Sequence, residues 1–198
     1  MKLIPTAALP LGGEIPEDYI FEEGSADLNE ADTARQVPLS ELFRPGKDTF
    51  AICSFMLGPK MKAACSMCSS IIDGLNATAV HATQRINLAV VAMSPLERLR
   101  TFARERGWNR LRLLSSGGNN YNRDYYGEGS DGGQQPSLNI FVCRSEKIRH
   151  FFHSELLMVP CEAGQNERHV DMIWPLWNLL DFTPEGRGSD WYPSLIYR

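Results

Sequence analysis

The sequence predicts a three-layer α/β fold built on a central mixed sheet, and three observations predict it. Apolar runs of strand length alternate with stretches of helical apolar spacing through the middle of the chain, the pattern of parallel strands joined by crossover helices. Two further strand-like runs follow with only a short turn between them, as in an antiparallel hairpin. A pair of thiols, Cys65 and Cys68, stands where the first strong strand gives way to the first long helix.

Taken in order, residues 1–36 are rich in proline, glycine and acid, with a short strand expected at Tyr19–Phe21. They read as an acidic arm that packs on the domain or on a partner subunit. Pro38–Phe43 suits a short helical turn, and Pro45-Gly46-Lys47-Asp48 turns the chain into an apolar strand over Thr49–Leu57. From Cys68 onward, Cys68, Ile72, Leu75, Ala79 and Ala82 fall on one helical stripe that faces the core. Ile86–Met93 has no polar alternation, as expected of a strand covered on both faces. Ser94 as cap and Pro95 at the first position open the next helix, whose Leu96, Leu99, Phe102 and Ala103 share a face and which Gly107 ends.

Arg110–Leu114 is the third strand of the alternating series, so right-handed crossovers are expected. Ser137–Cys143 and Lys147–His153 form the antiparallel pair around a turn at 144–146, and a last helix covers Arg168–Asp181. The main domain is therefore expected over 37–182, with 183–198 as an extended tail. The outlier is Ser115–Pro136, a loop carrying Gly117, Gly118, Gly127, Gly129, Gly132 and Gly133. A loop of that length in a compact domain is usually functional or mobile.

The chain of 198 residues is long enough for one domain with a full core, and 43% hydrophobic with 22% charged residues is an ordinary globular balance. A net charge of −4 and the lack of a basic run exclude nucleic acid as an expected partner. The longest apolar runs fall well short of the about 20 residues of a membrane helix. Pro5 and Pro10 interrupt the apolar opening, which does not read as a secretory leader. Five cysteines are an odd number without the spacing of a stapled scaffold, so a reducing cytoplasm is the expected setting.

In that setting a C-x-x-C at a helix start points to catalysis or metal. Unpaired N–H groups there favour the thiolate at Cys65, and Cys68 lies about one turn further along the same face. In the redox reading Cys65 is the exposed nucleophile, Cys68 on the core-facing stripe is the resolving thiol, and Lys60 and Lys62 add positive potential. The alternative is half of a zinc site, which needs two more ligands. Cys143 and Cys161 are far apart in sequence, and His150 and His153, three apart in a strand, should point to opposite faces. Cys53 and Cys143 read as core side chains, and Cys161 has no assigned role. His81, near the end of the first helix, reads as a surface residue, as do His150, His153 and His169.

The layout resembles the thioredoxin fold, and the resemblance extends to the DUF899 family, whose members are described as predicted dithiol–disulfide oxidoreductases. It is carried by Leu39-Ser40-Glu41-Leu42-Phe43, Phe55-Met56-Leu57-Gly58-Pro59 and Cys65-x-x-Cys68 with Asp73-Gly74. His81, Ser94-Pro95-Leu96, Gly107-Trp108, Ser115-Ser116-x-Gly118, Asn122-x-Asp124 and Leu180-Asp181-x-Thr183-Pro184-x-Gly186-Arg187 continue it. The resemblance implies a dithiol–disulfide oxidoreductase with Cys65 and Cys68 as catalytic pair and no bound cofactor or metal. Its substrate would be a disulfide-containing protein or a small-molecule thiol compound, with an external thiol as reductant. It also implies a cis proline at Pro136, ahead of the hairpin strand, facing Cys65 and docking substrate. Asn122 and Asp124 would line a pocket wall or a subunit contact.

Two departures stand out. Ser66-Met67 separates the thiols where thioredoxins carry Gly-Pro, and Ala64 stands in place of their tryptophan. The aromatic C-terminal segment, with Trp174, Trp177 and Phe182, suits a core face or a homodimer interface. A noncatalytic thioredoxin-like module, binding a partner or holding a metal, is the alternative function. A thiol peroxidase is a third, opposed by Lys62, which occupies the place of the Thr or Ser that such enzymes carry three residues before the reactive cysteine.

Overall fold

A computed structural model describes residues 12–31, 33–156, 173–180, 182–184, 186 and 191–197. Seven strands form one mixed sheet: β1 (Ile20–Glu23), β2 (Arg35–Pro38), β3 (Thr49–Ser54), β4 (Asn87–Ala92), β5 (Arg112–Ser115), β6 (Ser137–Arg144) and β7 (Lys147–Ser154). Their spatial order is β2-β1-β5-β4-β3-β6-β7. The centre, β3-β4-β5, is parallel, and the pairs β1–β2, β1–β5, β3–β6 and β6–β7 are antiparallel. The helices are α1 (Ser66–Ala82), α2 (Leu96–Arg106), the single turn α3 (Tyr121–Asp124) and α4 (Pro175–Leu180), with a 3-10 turn at Leu39–Leu42.

β4 is buried along its whole length, as its unbroken apolar run predicts. One face of the sheet carries α1, α2 and α4. There Cys53, Phe55, Cys68, Ile72, Leu99 and Trp108 share a core with Trp174 and Trp177. The other face is closed by the 3-10 turn, α3 and the N-terminal segment, with Tyr19, Phe21, Leu39, Leu42, Tyr121 and Tyr125 packed on Phe50, Ile52 and Phe141. Rings meet edge-on there, Phe21 with Tyr121 at 5.2 Å and Tyr19 with Tyr125 at 5.5 Å.

The acidic N-terminal segment supplies β1 and β2, and β1 starts one residue beyond the expected Tyr19. The chain between these strands is pinned by Arg100 of α2. Its buried guanidinium donates to the carbonyls of Ser25 (2.6 Å), Asp27 (2.8 Å) and Glu30 (3.0 Å). Buried Glu23 accepts from Arg35 and Arg112, tying the hairpin to β5.

Three elements differ from expectation. β3 ends at Ser54 and not Leu57, because the chain turns sharply where Leu57 N–H donates to the Phe55 carbonyl. The cap of α2 is Pro95, whose carbonyl takes the Arg98 and Leu99 N–H groups. Ser94 instead lends its carbonyl to the Ser115 hydroxyl. Gly107 closes α2 at φ 71°, a left-handed turn that suits glycine.

The third difference is in the hairpin. A bulge between Ile140 and Phe141 shifts the register, so Asn139 faces His153 and Phe141 faces His150. Both imidazoles therefore stand on the same face, and the expectation of opposite faces is corrected. Their rings reach the one oxygen Oδ1 of fully buried Asn139, each at 2.9 Å. The last predicted helix, 168–181, falls partly outside the described residues. Within them α4 begins at Pro175, a position where the missing N–H costs nothing.

Candidate functional site

After β3 the backbone bends and runs through Gly58–Ala64 to the head of α1. Arg98 of α2 holds this loop, donating to the Gly58 carbonyl at 2.9 Å and the Met61 carbonyl at 2.5 Å. Cys65 N–H donates to the Met56 carbonyl at 3.1 Å, which anchors the residue at the end of the strand. Cys65 is extended (φ −66°, ψ 121°) and caps α1 through its own sulfur, which accepts from Cys68 N–H at 3.4 Å. Its carbonyl takes Ser69 N–H and the Ser69 hydroxyl.

The two thiols are unbridged and come within 3.3 Å of each other. Cys65 is half-buried, while Cys68 is only 4% exposed and packs in the core under α1. Their acidities diverge accordingly. The Cys68 thiol hydrogen-bonds to Cys65 sulfur, and with the N–H groups of Cys68 and Met67 this outweighs burial and brings Cys65 from 9.0 to about 6. Cys68 moves the other way, well above 9.0, because it donates to Cys65, is buried and faces its charge. The lowering of Cys65 comes from these hydrogen bonds and not from Lys60 and Lys62, both exposed.

Asp73, one helix turn on from Ser69, ties α1 to α2. Its carboxylate accepts from Trp108 Nε1 at 2.8 Å and pairs with Arg106. His81 is exposed in the last turn of α1, as expected of a surface histidine. Cys53 is buried in β3 and burial pushes its thiol up to about 12, an inert core sulfur. Cys143 is half-buried in β6. Cys161 and His169 lie outside the described residues. Among the described residues no group of three or more His, Cys, Asp and Glu side chains is placed to hold a metal.

Pro136 is buried at the entrance to β6, where Ser137 pairs with Ser54 at the end of β3. Its peptide bond is trans, which corrects the expected cis proline. Trans is the ordinary isomer of an X–Pro bond, and the long loop holds the residues ahead of Pro136: Gln135 N–H donates to the Gly127 carbonyl at 3.0 Å and Gln134 bridges to Glu128.

Asn122 and Asp124 sit in α3, on the sheet face opposite α1, and shape the long loop. Buried Asn122 accepts from the Ser116 hydroxyl at 2.6 Å, and its carbonyl takes Gly127 and Glu128 N–H. A Cβ on Gly127 would stand 3.0 Å from Asn122 Nδ2 and 3.3 Å from Ser54 Oγ, a tight fit that would make those side chains give way by a few tenths of an ångström. Asp124 accepts from the Tyr19 hydroxyl at 2.8 Å, joining the loop to the N-terminal segment. A cleft of about 900 Å³ opens beside this junction, at the C-terminal ends of β4 and β5, lined by Tyr19, Met93, Ser115 and Asn119.

Residues 7–197 match the profile of a family described as "Bacterial protein of unknown function (DUF899)". The chain belongs to the DUF899 family. No curated protein matches it. Solved structures with a similar fold include the reduced 2-Cys peroxiredoxin of Plasmodium vivax, at 16% identity and TM-score 0.54, covering 82% of the DUF899 chain and 95% of the other. Reduced Prx3 in complex with H2O2 from Vibrio vulnificus gives 12% identity and TM-score 0.55, covering 83% and 99%. The mitochondrial 2-Cys peroxiredoxin of Plasmodium falciparum gives 14% and 0.54, covering 82% and 94%. The DUF899 chain thus has a thioredoxin-like fold.

Proposed function

We propose that this DUF899 protein is a dithiol–disulfide oxidoreductase. The observation that carries the reading is the contrast between a half-buried Cys65 of low pKa and a buried Cys68 of high pKa within bonding reach. Cys65 thiolate attacks one sulfur of a substrate disulfide. That S–S bond breaks, the leaving sulfur takes a proton, and a mixed disulfide forms on Cys65. Cys68 then gives up its proton and attacks Cys65 Sγ, which expels the second substrate thiol and closes a Cys65–Cys68 bond. The substrate gains two electrons, and an external thiol, in a reducing cytoplasm, restores the pair. Asn122 and Asp124 act one step back by shaping the loop, Pro136 borders the substrate approach at the head of β6, and a homodimer is formed through the aromatic C-terminal segment.

Peroxide is the second substrate class to measure, because a structure of the same fold is of a peroxiredoxin with H2O2. Lys62, three residues before Cys65, weighs against it. The test is reduction of insulin disulfides and of hydrogen peroxide by a thiol-recycled enzyme. Insulin reduction that vanishes in Cys65→Ser supports exchange. Equal rates in wild type and Cys65→Ser contradict it.

A further inference from the structure

An open trough of about 530 Å³ runs up to Ala64, the residue before Cys65. Lys62, Ala63 and Ala64, the three residues that lead into Cys65, form its near wall. Glu97, Arg98, Thr101, Phe102 and Glu105 of α2 form the far wall, and Leu57 adds an apolar surface. The walls are fixed before anything binds. Arg98 is occupied by the Gly58 and Met61 carbonyls, and Phe102 is wedged against Phe55 and Trp108 with ring centres 5.6 and 5.4 Å away. Preformed walls that combine an apolar surface with a few charged side chains are what a binding groove requires.

The chain's own tail closes one end, through Leu195. The tail has no helix or strand there. It bends at Leu195, where Ser194 Oγ donates to the Ile196 carbonyl at 2.9 Å, and Arg106 donates to the Leu195 carbonyl at 3.2 Å. Pro193 is buried and Leu195 half-buried, while Tyr192, Ile196 and Tyr197 are 60–80% exposed. So an irregular peptide segment presents one aliphatic side chain to the trough and one carbonyl to a neighbouring guanidinium. Arg106, already paired with Asp73, thus also meets a peptide carbonyl, and Trp191 and Tyr192 pack on Trp177 with ring centres 6.0 and 6.5 Å away, leaving Ser194–Tyr197 as the part a substrate would displace.

Resting on the exchange reading above, we propose that this trough docks an aliphatic side chain of a flexible polypeptide beside its disulfide. The substrates of Cys65 are then protein disulfides and not small ones, and Leu195 is a built-in occupant that the substrate displaces.

The test uses the full chain with both thiols changed (Cys65→Ser, Cys68→Ser), so that binding is read without exchange. The probe is a fluorescein-labelled heptapeptide copying residues 191–197, followed by anisotropy. Saturable binding is expected to be about 10-fold tighter to a chain carrying Leu195→Ser than to one with its tail intact, and lost when Thr101→Tyr fills the trough from the exposed side of α2. No saturable binding to the Leu195→Ser chain, or binding indifferent to Thr101→Tyr, overturns the proposal. With both thiols restored, Thr101→Tyr should lower kcat/KM for insulin about 10-fold and leave that for a small aromatic disulfide within about 2-fold. Equal losses on both substrates overturn it too. A chain that binds the peptide but reduces no disulfide refutes the exchange reading and leaves the trough as a peptide site.

Discussion

Cys65 and Cys68 differ in acidity because their surroundings differ, not because their side chains do. The main cause of the acidity of Cys65 is the hydrogen bond from the Cys68 thiol. The alkylation rate of Cys65 with iodoacetamide should therefore rise with pH about a midpoint of about 6. Cys68→Ala removes that donor and should move the midpoint up towards the ordinary 9.0, whereas a wild-type midpoint already near 9.0 would contradict the account. The pair was legible in the sequence because three-residue spacing at a strand-to-helix junction fixes both sulfurs on one helix face. Arg98 was not legible, since nothing local distinguishes an arginine that holds a distant loop from one that is solvated. The isomer at Pro136 was not legible either. The residues ahead of it are held by Gly127 and Glu128, which approach from elsewhere in the long loop.

At the scale of the element, the bulge in the β6–β7 hairpin decides where two histidines go. Asn139 Nδ2 is engaged by the Tyr125 carbonyl and Ser137 Oγ, so Oδ1 is left to accept an N–H from each imidazole. Asn139→Leu strands both donors and should cost about 1–3 kcal/mol in urea unfolding. An unchanged midpoint would show that the clamp contributes nothing. Burial lowers the pKa of both histidines below 6.5, with the charge of His153 adding to the effect on His150 and Glu155 opposing it at His153. Between the folded and unfolded values the unfolded chain binds more protons. Stability from this pair is therefore complete above pH 6.5 and is eroded as pH falls towards the depressed folded values. Asn139→Leu in urea titrations at pH 5 and 7.5 checks whether that slope belongs to the clamp. The hydrophobic pattern could not reveal the bulge, because adjacent Phe151 and Phe152 obscure the two-residue period that would fix the register.

For the whole molecule, the order of strands and helices from β3 to β7 followed from alternating periodicities, and the α/β layers with it. A short strand near β1 was expected, but β2 and the place of both in the sheet were hidden by composition. Four-residue strands flanked by acid, proline and glycine carry too little pattern to register as sheet. Their attachment depends on Arg100, which replaces solvent for three carbonyls. Arg100→Ala should lower global stability by about 2–3 kcal/mol, read by tryptophan fluorescence in urea. A change under about 0.5 kcal/mol would place the N-terminal hairpin outside the cooperative unit.

Whether the two sulfurs at the head of α1 open and close one bond is read by a redox-buffer titration with peptide mapping. Protein equilibrated across a series of reduced-to-oxidised dithiothreitol ratios is acid-quenched, alkylated and digested. A Cys65–Cys68 disulfide is expected, its fraction following a single two-electron curve, with Cys53 alkylated as a free thiol throughout. Alkylated Cys65 and Cys68 at every ratio, including the most oxidising, would contradict it.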